Sequence, residues 1–257
     1  MSAAESGAHQ WLVGGAYFSP RDRSDPLYTE LEDSAPGRLL GIDERFTSPG
    51  TAARVSDATT LLLIYAHHFS DHLAVKLEGG VPAVFELRGE GQVRPTGAAG
   101  ALLEVDLGAP ANNPLATARL WAPTVLLQYS FRDATRRFRP SIALGATYTW
   151  YSDIELDEDF CAALNQQFGQ PLALATGHPG PTTVHADAQG GVGTIANVGF
   201  EWRLAGPWSL VGSLSFLRLA TTSIIEIHAE DGTQLVRSRA HIDVDPVIGA
   251  LLLGYRF

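Results

Sequence analysis

The chain has a single cysteine, Cys161, in 257 residues. That excludes an internal disulfide framework, and one thiolate cannot build a structural zinc site. Cys161 is expected to be a bystander in a loop. No uninterrupted apolar stretch approaches the roughly 18 residues that a membrane helix needs. The longest runs, such as Leu61–Ala66, are strand-sized. Charge is scarce, at 18% of residues, and 18 bases face 28 acids for a net charge of −10. That balance argues against nucleic acid as a partner. Met1-Ser-Ala-Ala-Glu-Ser-Gly-Ala8 lacks the basic start and apolar core of an export signal. We therefore expect a processed terminus, with residues 1–9 flexible and residues 10–257 forming one folded unit.

What the chain does have is alternation. Counting back by twos from the C-terminus gives Phe257, Tyr255, Leu253, Leu251, Gly249 and Val247, apolar throughout and ending in two aromatics. Strand side chains alternate between faces, so this is a strand with one fully apolar face. Seven further segments are patterned as strands, near 10–20, 56–69, 73–88, 118–131, 138–151, 191–204 and 208–228, the last strand covering 239–257. Their apolar phases agree, for example Leu61, Leu63, Tyr65; Val125, Leu127, Tyr129; and Ile142, Leu144, Tyr148, Trp150. The first strand, Trp11–Pro20, has no clean phase.

The connections alternate in length. Ser70-Asp71-His72, Arg132–Arg137 and Ala205-Gly206-Pro207 are short, whereas 21–54, 89–117 and 152–190 are long, with a shorter hairpin at 229–238 on the same side. Aromatics gather beside the short turns (Phe69, Tyr129, Phe131, Phe138, Trp202, Trp208) and again farther up (Trp121, Tyr148, Trp150, Phe216). Two aromatic girdles about a 25 Å aliphatic band, with long loops on one side only, describe an all-β, eight-stranded antiparallel outer-membrane barrel with both termini periplasmic. A soluble sandwich is the alternative. It would place similar loops at both ends and scatter its aromatics.

Several motifs point elsewhere and fail on context. Gly191-Val-Gly193-Thr-Ile-Ala196 matches a dinucleotide fingerprint, but no strand–helix pair surrounds it, so no cofactor is expected. Asp153, Glu155, Asp157, Glu158 and Asp159 resemble a calcium loop but lack its sixth-position Gly and twelfth-position Glu. Residues 152–190, with six acids and no Lys or Arg, read as a solvated acidic loop. Weak divalent-ion binding near lipopolysaccharide is the functional alternative there. His67-His68 face opposite sides of one strand and cannot share a metal ion. With no G-x-S-x-G elbow and no outer-leaflet His–Ser pair, the expectation is no catalytic residue, no metal and no enzyme.

The inward phase divides the barrel. Near the short turns it carries Lys76, Glu78, Gln128, Arg139, Glu201, Arg203 and Arg256; above them it turns apolar with Leu62, Leu120, Leu217, Leu219 and Ile248. Buried charges must pair, so Lys76, Glu78, Arg139, Glu201, Arg203 and Arg256 are expected to plug the periplasmic end. The apolar set then either lines a substrate channel or simply fills an eight-stranded barrel, and the residues alone leave both open.

Arg119-Leu-Trp-Ala-Pro-Thr-Val-Leu-Leu-Gln-Tyr-Ser-Phe131, Phe138-Arg139-Pro140 followed by Gly145-Ala-Thr-Tyr148, and Asp245-Pro246 with Gly254-Tyr255-Arg256-Phe257 resemble the OmpW family of small outer-membrane barrels. Leu73-Ala-Val-Lys-Leu77 with Pro82 is similar to the family's third strand. The resemblance implies a narrow apolar interior that passes small hydrophobic molecules, and an AlkL-like branch is associated with alkane uptake. The expected function is passive uptake of such molecules. The expected partners are those substrates, outer-membrane lipids and lipopolysaccharide. A structural or adhesive barrel whose long loops bind partners is the competing class. Pro82 and Pro123 fall at similar heights on neighbouring strands, and each removes a ladder donor. They mark either a lateral opening into the membrane, which the resemblance also suggests, or the ends of strands above it.

Overall fold

The computed structural model describes residues 8–31, 43–97, 100 and 103–257. Residues 1–7 of the expected flexible segment lie outside these, and strand structure begins at His9. Eight strands close into an antiparallel ring. In chain order the barrel strands are His9–Ser19, Ala58–His68, Leu73–Gly80, Thr124–Ser130, Phe138–Leu156, Gly191–Arg203, Trp208–Arg218 and Val247–Arg256. The first strand pairs with both the second and the eighth, and pairing of the fourth with the fifth closes the ring. Closure leaves no sheet edge in the hydrocarbon, where an unpaired backbone group would cost several kcal/mol.

The outer surface of the ring is an apolar band. Leu61, Leu144, Leu214 and Leu251 are all more than half exposed. Girdle rings pair up at both rims: Trp208 and Tyr255 lie 5.0 Å apart beside the short turns, and Trp121 stacks flat on Trp150 at 5.7 Å at the upper rim. Lipid is the solvent for which such a surface is suited.

The first strand has a phase after all. Trp11, Val13 and Tyr17 face out while Gln10, Leu12, Ala16 and Phe18 are buried inside. Gly14 and Gly15 hide the alternation. Gly14 is needed at its position, because a Cβ there would lie 2.1 Å from the carbonyl oxygen of Leu251.

Above the membrane the strands continue and split into two sheets. The fifth barrel strand runs unbroken to Leu156 and pairs there with Ala116–Trp121, which pairs with Ala83–Glu90, which pairs with Ala52–Val55. Opposite this, Thr183–Ala188, Ala220–His228, Gln234–Asp243, Leu27–Leu31 and Arg45–Ser48 form a second sheet, with Arg23–Ser24 added beside Gln234–Asp243. The eighth barrel strand is handed to this sheet by a bend at Asp245 (φ 35), whose carboxylate accepts a hydrogen bond from the Leu219 N–H at 3.0 Å.

The long loops therefore form a folded cap. Phe160, Leu164, Phe168 and Leu172 make a core with Phe46, Val105, Ile227 and Val236. This corrects the expectation of a solvated acidic loop at 152–190. Asp157 caps a helix over Glu158–Leu164 by accepting from the N–H groups of Asp159 and Phe160, and a π turn at Asn165–Gly169 leads to a second helix, Gln170–Ala175.

Candidate functional site

The floor of the barrel is ionic. Arg139 and Glu201 are register partners on the fifth and sixth strands, and the Arg139 Nη1 lies 2.8 Å from Glu201. Arg256 reaches the same carboxylate at 3.3 Å, and Gln10 donates to it at 3.0 Å while donating to Ser209 at 2.9 Å. The Arg139 guanidinium also donates to the backbone carbonyls of Arg132 and Asp71. His68 closes the cluster, 3.2 Å from Gln10 and 3.3 Å from Arg256. One carboxylate is thus shared by two guanidiniums, with neutral donors and backbone oxygens answering the rest. This is the arrangement a buried charge cluster needs.

Three of the six expected plug residues, Arg139, Glu201 and Arg256, meet in this cluster. Arg203 instead donates to the carbonyl of Ala134, bracing the turn between the fourth and fifth strands. Lys76 is buried one layer higher, and Glu78 lies higher still, where it lines the cavity above. Neither makes an ion pair among the described residues. Sequence reasoning missed Gln10 because the phase of the first strand was hidden. It missed His68 because only paired histidines were considered.

Above the floor Leu12, Ile64, Val211 and Leu252 pack together as an apolar layer. A cavity of 350 Å³ follows, lined by Phe18, Leu62, Leu120, Ile195, Leu217 and Ile248. Four of the five expected channel residues are there. Leu219, the fifth, lines the next cavity up, a smaller apolar space of 90 Å³ between the two sheets. Leu120 borders both.

The lower cavity reaches the wall. Pairing of the third and fourth strands stops at Glu78–Thr124 and resumes at Ala83–Leu120, and the break contains Val81-Pro82 and Ala122-Pro123. Both prolines line the cavity, together with the outward-facing Val81, Trp121 and Trp150. On the second strand the last partner is Gly80, whose φ of +153 and position 2.1 Å (as a built Cβ) from the Leu61 carbonyl leave no room for a side chain. Beyond it the Val81 N–H still bonds to Leu61, at 3.0 Å.

The other motifs resolve as structure. Gly191–Ala196 lies within the sixth barrel strand. His67 faces out and packs its ring on His9 and Phe69, opposite to His68. Asp153 pairs with Arg119 at 3.4 Å and Asp157 is spent on the helix cap. Cys161 sits in the cap's first helix, not in a loop. Partial burial and the carboxylates of Asp157 and Glu158 push its pKa up, which keeps it a thiol and disfavours nucleophilic or metal-binding use.

No family model matches the sequence. The chain is similar to outer membrane protein W of Salmonella typhi, with 21% identity over 243 residues that cover 95% of this chain and 89% of the relative. It is also similar to outer membrane protein W of Vibrio cholerae serotype O1, 24% identical over 204 residues, 79% of this chain and 76% of the relative. Among solved structures it resembles the outer membrane protein OprG from Pseudomonas aeruginosa, with a TM-score of 0.69 at 21% identity, covering 98% of this chain and 97% of that one. All three carry the names of outer-membrane proteins and none that of an enzyme.

Proposed function

We propose, from the premise that this chain belongs to the OmpW family of Gram-negative outer-membrane barrels, that it is a channel for passive uptake of small hydrophobic molecules. The observation that carries the reading is a run of apolar space. The upper cavity, the Leu120 boundary, the lower cavity and the break at Pro82 and Pro123 follow one another, and apart from Glu86 and Asp187 on the upper cavity and Glu78 in the lower one their lining is uncharged. Below, the floor cluster opposes any exit into the periplasm, because an apolar solute would have to displace paired charges. Release sideways into lipid leaves those charges paired. Substrates and outer-membrane lipids, lipopolysaccharide included, are then the partners.

A structural or adhesive barrel is the second reading, and the folded cap with its own core is the observation in its favour. The test is transport of a labelled alkane or terpene into liposomes with and without the purified barrel. Faster uptake with the protein supports the channel. Equal rates overturn it and leave the cap as the working part.

A further inference from the structure

The two sheets of the cap meet along two seams, and the seams differ. On one side, the chain itself crosses between the sheets, and side chains stitch them: the Val55 N–H donates to Asp22 at 2.9 Å, and the Leu27 N–H to the Thr51 hydroxyl at 2.8 Å. On the other side the upper fifth strand, Trp150–Leu156, faces Thr183–Ala188. Trp150–Leu156 bonds to Ala116–Trp121 on its far edge, and Thr183–Ala188 bonds to Ala220–His228 on its own. Among the described residues no ladder, hydrogen bond or ion pair joins the two facing edges directly, and the link across this side is from Tyr151 to Thr221 in the strand behind. The seam is closed below, where the Thr149 hydroxyl bonds to the Gly191 backbone at 3.1 and 3.2 Å. It is closed above, where Leu156 and Val184 pack against the cap core.

A slot bounded in this way opens on the upper cavity. Ile154, Leu156, Ala186 and Ala188, from its two edges, all line that cavity, and two of the four are small. Among the exposed positions on the same edges, Asp153, Glu155 and Asp187 are acidic while Thr183 and His185 are not; Asp153 is paired with Arg119, and Asp187 also borders the cavity. Unpaired strand edges and an apolar lining are unfavourable to leave in water unless something uses them.

We propose that this slot is the inlet of the channel. It admits slender uncharged apolar molecules from the side, under the roof of the cap, and its acidic rim turns away carboxylates and other anions. The inference rests on the channel reading above and assigns that channel its door and its preference for neutral solutes.

The experiment uses a Cys161→Ala/Ala186→Cys chain, folded first and then alkylated with a bulky maleimide, so that one preparation is compared before and after blocking. Transport of octanol and octanoate is measured in liposomes. Wild-type barrel that does not accelerate octanol at all refutes the channel itself. If wild type and unlabelled variant transport octanol, the inlet predicts that labelling drops the rate to that of protein-free liposomes. An unchanged rate after complete labelling overturns the inlet while leaving the channel standing. For the rim, Glu155→Lys/Asp187→Lys should raise octanoate uptake relative to octanol, and an unchanged ratio overturns the selectivity. Should the cysteine variant fail to fold, Ala188→Cys in the same background serves the same comparison.

Discussion

Arg139, 1% exposed, lies 2.8 Å from Glu201, which is 12% exposed, across two neighbouring strands at the base of the barrel. Glu201 also neutralises Arg256, so a single substitution there strands two guanidiniums. Removing one partner of a buried pair typically costs roughly 3–5 kcal/mol. Glu201→Ala is expected to lose about that much, read from urea unfolding of the refolded barrel in lipid vesicles. Replacing the charges with apolar side chains, as in Arg139→Met/Glu201→Leu/Arg256→Met, should recover most of the loss, because no uncompensated charge remains.

Pro82 and Pro123 lack the N–H that a ladder rung requires, and the rungs between the third and fourth strands are missing where they stand. Pro82→Val/Pro123→Thr supplies the donors and a better strand fit. Hydrophobic uptake should fall at matched levels of folded barrel. Undiminished transport would mean that the solute leaves by another way.

The lower cavity can be filled from within. Leu62→Trp or Leu217→Trp adds bulk where both side chains border the 350 Å³ space. Either is expected to slow uptake strongly while the heat-dependent gel mobility of the folded barrel is retained. Overpacking costs typically 1–3 kcal/mol, a loss a closed barrel can absorb. Leu12→Ala, in the layer beneath, should leave uptake unchanged because Leu12 does not line the cavity.

The cap should be separable from the barrel. Phe160 and Phe168, 0% and 2% exposed, sit in the core of the cap, a cluster distinct from the one inside the barrel. Phe160→Ala should cost the cap about 3–5 kcal/mol. Protease added from outside should then cut within 152–190, with the barrel strands protected. Asp157→Ala removes the helix cap and should produce a milder version, about 0.5–2 kcal/mol.

Why the barrel was legible and the cap was not follows from contrast. Val125, Leu127 and Tyr129 stand out because Thr124, Gln128 and Ser130 beside them face a different medium. In the first strand the lumen is itself apolar at Leu12, Ala16 and Phe18, and two glycines erase what difference remains. The cap strands Arg23–Ser24, Leu27–Leu31, Arg45–Ser48 and Ala52–Val55 are short, and Leu31 finds its partner at Val236, far along the chain, so no local period marks them. One signal was present and unused. Phe160, Leu164, Phe168 and Leu172 recur every fourth residue behind an Asp-Glu-Asp start, which is a capped amphipathic helix. The ionic floor was readable as charge on an inward phase. Its membership depended on height along each strand, which placed Glu78 in the cavity instead.

The floor also has an electrical consequence. On the channel reading, two guanidiniums on one carboxylate, topped by Leu12, Ile64, Val211 and Leu252, would act as a plug on the axis. To an ion the molecule would then be a dielectric plug, across which a membrane voltage would drop without driving current. A neutral solute feels no such field. Its flux would follow the partition gradient between the outer medium and the lipid, indifferent to potential and to salt. A cell could then leave such a door permanently unlocked without leaking its ions.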